Sequence, residues 1–119
     1  MDISKFKAML TEHIISPMID YTETGSKDCE FRKSDVRKCE KILTEYLDAL
    51  AFLATPSDKD ILKCVKKAVL ALNKLNEKTD YAMLETEERE AIWELIQISA
   101  IECGLQDPAD DITEQWREW

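Results

Sequence analysis

The chain has 119 residues, of which 45% are hydrophobic, and its formal net charge is −9. A domain of this length buries about two-thirds of the surface that its unfolded chain exposes, so its core needs neither a metal nor a disulfide. Only 2 Gly and 3 Pro leave few residues for the tight turns of an all-β fold, whereas the helix-favouring Leu, Ala, Glu and Lys recur throughout. We therefore expect one all-helical domain over residues 1–119.

Acidic residues are concentrated in the last third of the chain. Residues 1–79 hold 14 Lys and Arg against 13 Asp and Glu, whereas residues 80–119 hold 2 against 12. A protein that binds the phosphate backbone of nucleic acid needs the opposite sign of charge, and a membrane-surface protein usually does too. The charge therefore favours a basic protein partner over direct binding to nucleic acid or membrane. The alternative is that the acidity serves solubility alone.

The start of the chain and its cysteines predict a cytoplasmic protein with reduced thiols. Residues 1–7 lack the basic run, apolar block and cleavage site of a secretion signal. The longest apolar stretches fall far short of the roughly 20 residues that span a bilayer. The four cysteines stand at positions 29, 39, 64 and 103, and no pair has the C-x-x-C spacing of a zinc or redox site.

Apolar residues at helical spacing predict the first helix over residues 2–21. Pro17 lacks an amide hydrogen, so we expect it to kink this helix or end it nearby. A loop with Gly25 as its turn residue follows. The second and longest helix is predicted over residues 28–54, where the apolar stripe is close to a heptad repeat.

The third helix is predicted over residues 58–77, with Ser57 as its N-terminal cap. Its outer face carries five lysines, Lys59, Lys63, Lys66, Lys67 and Lys74. We interpret that row as a solvated face. In the connector that follows, Tyr81 and Leu84 are expected to anchor the chain to the core.

The fourth helix is predicted over residues 87–103, with Thr86 as its cap and Gly104 in the left-handed position after its last turn. The side opposite its core stripe is acidic at one end and apolar at the other. A purely solvated face would not need Ile98 and Ile101 at that apolar end. We therefore expect this half of the face to contact the C-terminal tail.

The tail is predicted to form a short helix from Asp111 to the end, because Asp111 and Glu114 have the spacing of a capping box. Ile112, Trp116 and Trp119 then lie on one face. We expect Ile112 and Trp116 to pack on the bundle, whereas Trp119 either packs there or contacts a partner. The expected fold is thus an all-α compact bundle of four main helices plus a short C-terminal helix.

Residues suited to catalysis or metal binding are sparse. The single histidine, His13, is interpreted as a packing or surface residue of the first helix. No Glu has a His three residues later, as di-metal sites in helical bundles require. The two glycines, at positions 25 and 104, are too far apart for a phosphate-binding loop. The sequence therefore predicts no enzyme, no metal and no cofactor, with a reactive cysteine as the remaining catalytic alternative.

Three segments of the C-terminal half carry a family resemblance: Ala71-Leu-Asn-Lys-Leu-Asn-Glu77, Met83-Leu-Glu-Thr-Glu-Glu-Arg-Glu90 and Asp111-Ile-Thr-Glu-Gln-Trp-Arg-Glu-Trp119. Together they resemble small helical bacterial immunity proteins of contact-dependent or polymorphic toxin systems. The resemblance contains no catalytic motif. It implies that the partner is a cognate toxin domain, often a nuclease, that is encoded beside the protein that neutralises it.

The acidic last third also supplies the candidate partner-binding residues. They are Glu87, Glu90, Glu94, Asp107, Asp110, Asp111, Glu114 and Trp119. A nuclease needs a cationic groove to hold phosphates, and Asp and Glu side chains can occupy such a groove by mimicking the phosphates. We therefore predict an immunity protein that covers the active cleft of a basic nuclease toxin domain with an acidic surface. The alternative is a helical adaptor or regulatory subunit that binds a non-toxin protein or itself.

Overall fold

The computed structural model describes residues 1–24 and 29–119, which form four helices and no strand. Helix α1 has three consecutive segments, an α-helix over Ile3–Met9, a π-helix over Leu10–Ile15 and an α-helix over Ser16–Thr24. Helices α2, α3 and α4 span Lys33–Phe52, Asp58–Lys78 and Thr86–Cys103. The all-helical prediction is therefore confirmed. The predicted turn at Gly25 lies outside the described residues.

Pro17 alters the hydrogen bonding of α1 without ending the helix. A proline inside a helix cannot donate to the carbonyl four residues earlier, and its ring clashes with that carbonyl. The helix widens into a π turn just before the proline, where the amide of Ser16 donates to the carbonyl of Thr11, five residues earlier. The chain then resumes α geometry to Thr24. Helix α1 therefore continues past residue 21, where the sequence predicts its end.

Helix α2 begins at Lys33 rather than at residue 28. The amide of Arg32 donates to the Asp35 carboxylate at 2.9 Å, which closes the first turn from outside the helix. Before this cap, Phe31 is buried and stacks on Tyr21 of α1, with the two ring centroids 5.7 Å apart. The segment that leads into α2 is therefore held by its own contact with α1.

The four helices share one hydrophobic core. Helix α2 packs along α3, while α1 contacts both α2 and α4. The apolar stripe of α3 is buried, namely Ile61, Val65, Ala68, Val69, Leu72 and Leu75. Helices α2 and α4 are joined across the core by the Tyr46 hydroxyl, which donates to the Ile96 carbonyl at 3.1 Å and lies 2.9 Å from Ser99 Oγ. No described helix is both long and apolar enough to cross a membrane.

The segment between α3 and α4 is anchored to the core by Met83 and Leu84 rather than by the predicted pair Tyr81 and Leu84. Leu84 is buried as expected, but Tyr81 is 57% exposed, and Met83 is the second buried residue. Asp80 and Tyr81 both adopt positive φ, so the chain reverses through a left-handed turn that leaves the Tyr81 ring in solvent. The amide of Tyr81 closes this turn by donating to the Asn76 carbonyl at 2.7 Å.

Helix α4 ends as predicted but begins slightly differently. Gly104 has φ +122°, a conformation that side chains disfavour, and it stops the helix after Cys103. At the start, Thr86 is the first helical residue, and Glu85 occupies the cap position without a side-chain capping bond. The start therefore depends on acidic residues in the first turn, which the helix dipole favours, rather than on a threonine cap.

The tail packs on the bundle as turns rather than as the predicted short helix. Residues 112–116 form consecutive turns, in which the amides of Trp116 and Arg117 both donate to the Thr113 carbonyl. Ile112 is buried, and Trp116 and Trp119 pack partly buried against the core. A short terminal segment gains little from helix formation alone, so its conformation follows these contacts.

Candidate functional site

Three carboxylates project from one face of α4. Glu87, Glu90 and Glu94 are exposed, and their spacing of three and four residues aligns them along the helix. They line a groove of about 390 Å³ between α4 and α1. Across the part of the chain that the structure describes, none of the three forms an ion pair. No ion pair among the described residues therefore neutralises their negative charge.

His13 lies in the same groove as these carboxylates. It comes from the π segment of α1 and is exposed, which agrees with its prediction as a packing or surface residue. Its proximity to Glu87, Glu90 and Glu94 depends on how α1 packs on α4, so sequence spacing could not reveal it. Within residues 1–24 and 29–119, no group of three or more His, Cys, Asp or Glu side chains is arranged to hold a metal ion.

The tail is tied to the acidic face of α4 by one side-chain amide. Gln97, three residues after Glu94, donates from Nε2 to the Ala109 carbonyl at 2.9 Å and accepts from the Ile112 amide at 3.0 Å. Asp110 lies between these two backbone contacts and is exposed. The tail segment that carries Asp110 therefore lies against Gln97, three residues after Glu94 in α4. We call this set the acidic row: Glu87, Glu90, Glu94 and Asp110.

A second acidic groove lies within the tail itself. It has a volume of about 350 Å³, and Asp107, Asp111 and Glu114 contribute to its lining. Asp107 and Glu114 are exposed, and neither forms an ion pair with a described residue. Leu105 and Ile112 provide buried apolar side chains in the same lining.

Two of the candidate residues make contacts inside the protein. The Asp111 carboxylate accepts from the Thr113 amide at 2.9 Å and pairs with the Arg117 guanidinium at 2.8 Å. Trp119 packs against the core, and the Arg117 guanidinium lies 5.4 Å from its ring centroid. Both residues therefore stabilise the tail. Because the Asp111 carboxylate is already paired with Arg117, it is less available to a cationic partner than the exposed Asp110 carboxylate.

The tail leaves the apolar end of the α4 face partly exposed, whereas the sequence predicts that the tail contacts it. Ile98 is 37% exposed and Ile101 is 45% exposed. The tail crosses this face at Gln97 instead, because the amide of that residue satisfies one backbone donor and one acceptor. The two isoleucines therefore remain accessible to another molecule.

Asn73 is a second tail contact that the sequence interpretation missed. Its amide donates to the Trp116 carbonyl at 2.8 Å and accepts from the Glu118 amide at 3.0 Å. A signal was present, since Asn73 and Asn76 stand three residues apart beside the apolar stripe of α3. Asn is a poor helix former, so such a pair indicates side chains that bind backbone elsewhere.

Three of the thiols have a pKa above the usual value for cysteine. Burial raises the pKa of Cys39 to about 12. The pKa values of Cys64 and Cys103 are also raised, mainly by burial. A thiol reacts as its thiolate, so these environments oppose nucleophilic chemistry at neutral pH. Cys29 donates to the Phe31 carbonyl at 3.1 Å.

Comparison of the chain with protein-family models, with curated proteins and with solved structures finds no match.

Proposed function

We propose that the protein is an immunity protein that binds a basic nuclease toxin domain encoded beside it and covers the active cleft of that domain. The acidic row is the observation that carries the proposal. Its carboxylates are exposed and lack ion pairs among the described residues. If these carboxylates served only to cap the helix N-terminus, Glu90 and Glu94 would not be needed in the middle of α4.

The spacing of the row suits a groove built for phosphates. Side chains three or four residues apart on a helix have Cβ atoms about 5–6 Å apart. From Glu87 to Glu94 the row extends about 10 Å along the α4 axis, and the tail segment that carries Asp110 is bound at Gln97, three residues further on. The row therefore presents negative charges at short, regular intervals, as a nucleic-acid strand does. Lysines and arginines that bind a substrate strand can bind these carboxylates instead.

The scaffold beneath the row favours tight association. Helix α4 is fixed by the buried side chains of Ile92, Leu95 and Ile96, and Gln97 holds the tail. Few groups therefore need to be ordered on binding, which lowers its entropic cost. Complementary charge raises the association rate, and fast capture matters when a toxin must be blocked before it acts.

The test is to measure the association rate of the purified protein with the nuclease domain at low and high salt. In the double variant Glu90→Lys/Glu94→Lys, association at low salt should slow by about tenfold or more, and its salt dependence should weaken. The matched control Asp20→Lys/Glu77→Lys reverses two other exposed carboxylates and should change the rate far less. Equal rates for wild type and the Glu90/Glu94 variant would remove the acidic row from the mechanism.

The alternative function is a helical adaptor that binds a non-toxin protein or itself. Its support is apolar exposure at one end of the bundle, where Phe52 is 90% exposed and Ile101 is 45% exposed. The ends of α2 and α4 meet there, since Cys103 Sγ lies 3.7 Å from the Leu50 carbonyl oxygen. A concentration-dependent dimer that Phe52→Ser abolishes would favour the adaptor over the immunity protein.

A further inference from the structure

The seam between α2 and α3 forms a second elongated surface, separate from the acidic row. Two adjoining depressions of about 260 Å³ and 400 Å³ share Ile42 and Glu45. The side chains along their floor are aliphatic or small, namely Ile42, Ala49, Cys64, Ala68, Ala71 and Leu75. We call this surface the α2–α3 groove. None of its lining residues belongs to the acidic row.

Lysines form both walls of the α2–α3 groove. They are Lys38 and Lys41 from α2 and Lys63, Lys67, Lys74 and Lys78 from α3. All six are exposed, and none has an ion-pair partner in the described ranges. The acidic residue in the lining is Glu45. The groove is therefore strongly cationic in a protein whose net charge is −9.

Lys38 and Lys78 approach each other across one end of the groove. The pKa of Lys38 is lowered, first because its amine lies close to the Lys78 amine and second because the Lys78 charge repels its protonated form. Two facing ammonium groups are destabilised by this repulsion, and an anionic group between them would relieve it. This end of the groove is therefore suited to receive negative charge.

The dimensions and the floor favour a helix as the occupant. From Lys63 to Lys78 the wall of α3 extends about 22 Å, which is about four helical turns. The alanines of the floor allow another backbone to approach closely. Single-stranded nucleic acid would stack on exposed aromatic side chains, and the one aromatic residue in the lining, Tyr46, is buried.

We propose that the α2–α3 groove binds an acidic amphipathic helix of a partner protein, with apolar side chains on the alanine-rich floor and carboxylates against the lysine walls. This is recognition of a helix in a groove, in which apolar contacts supply affinity and flanking charges set orientation. The proposal goes beyond immunity function, because it concerns helices α2 and α3 rather than the acidic row.

The probe is a fluorescent peptide of about 15 residues, or four turns, with Leu on one helical face and Glu on the other. The full chain should bind it saturably, and salt should weaken binding. Lys41→Glu/Lys74→Glu, one reversal on each wall, should weaken binding by about tenfold or more. Lys59→Glu/Lys66→Glu is the matched control, since these exposed lysines of α3 lie outside the lining. It should retain most of the binding.

Two further variants test the role of the groove floor and separate peptide binding from the proposed immunity function. Ala71→Trp should block the floor and abolish binding, with thermal unfolding confirming that this variant folds. Glu90→Lys/Glu94→Lys should bind the peptide as wild type does, so a failed immunity function would leave this result unchanged.

Three outcomes would overturn the proposal. The first is a failure of the acidic peptide to bind better than a peptide with Lys in place of Glu, whether because both bind equally or because neither binds saturably. The second is displacement of the peptide by a single-stranded oligonucleotide, which would make the groove a nucleic-acid site. The third is self-association of the free protein that Lys41→Glu/Lys74→Glu abolishes, which would make a second copy the occupant.

Discussion

Replacing Asn73 with alanine should loosen the C-terminal tail from α3. The side chain is 7% exposed and makes two hydrogen bonds to the tail, at 2.8 Å and 3.0 Å. Each such bond contributes about 0.5–1.5 kcal/mol net, so Asn73→Ala should lower the free energy of unfolding by about 1–3 kcal/mol. For a chain of this size that corresponds to a melting temperature lower by about 4–12 °C.

The assay is thermal unfolding followed by circular dichroism, with Lys74→Ala as the control at the next, exposed position. A chain that lacks residues 111–119 should itself melt several degrees lower, because Ile112 and Trp116 lose their contacts with the core. In that truncated chain Asn73→Ala should cost little more, because its partners are already gone. An equal loss in the full and truncated chains would refute the reasoning.

Three further predictions concern the core and the end of α4. Tyr46→Phe and Ser99→Ala should each lower the free energy of unfolding by about 1–2 kcal/mol. The double mutant should lose less than the sum of the two, because the two hydroxyls lie 2.9 Å apart and share one interaction. Additive losses in urea unfolding would contradict this. Gly104→Ala should lower the free energy of unfolding by about 1–3 kcal/mol, because a residue with a side chain is strained at a φ of +122°. Crowding adds little, since a Cβ there would meet only the Pro56 side chain, at 4.0 Å. An unchanged melting temperature would contradict the strain. Stability should fall as pH rises from 9 towards about 12, because Cys39 keeps its proton in the folded state while the unfolded thiol loses it. This contribution is complete below pH 9, and Cys39→Ala should make the fall less steep in unfolding measurements across that range.

Helix positions were predictable where apolar periodicity decided them. Helix α3 has its predicted cap, since Ser57 Oγ accepts from the Asp60 amide at 3.2 Å, and its apolar stripe is buried. Departures arise where a tertiary contact overrides local pattern. Phe31 leaves the helical register to stack on α1, and a π turn accommodates Pro17 within a continuous helix.

The candidate site was predictable only along α4. Helical spacing places Glu87, Glu90 and Glu94 on one face, because that relation is local. The addition of Asp110 depends on Gln97, a long-range contact that no local pattern encodes. The same limit applies to the α2–α3 groove. From the sequence, the lysines of α3 are interpreted as a solvated face. Some of them line a groove together with Lys38 and Lys41 only because α2 and α3 pack against each other.

Growth rescue tests the central claim most directly. Bacteria that express the nuclease domain encoded beside this chain should die without the protein and grow when wild type is co-expressed. Glu90→Lys/Glu94→Lys should lose protection at matched expression, whereas Asp20→Lys/Glu77→Lys should retain it. Failure of the wild-type protein to protect, or equal protection by the Glu90/Glu94 variant, would contradict the assignment of the acidic row as the surface that neutralises a toxin.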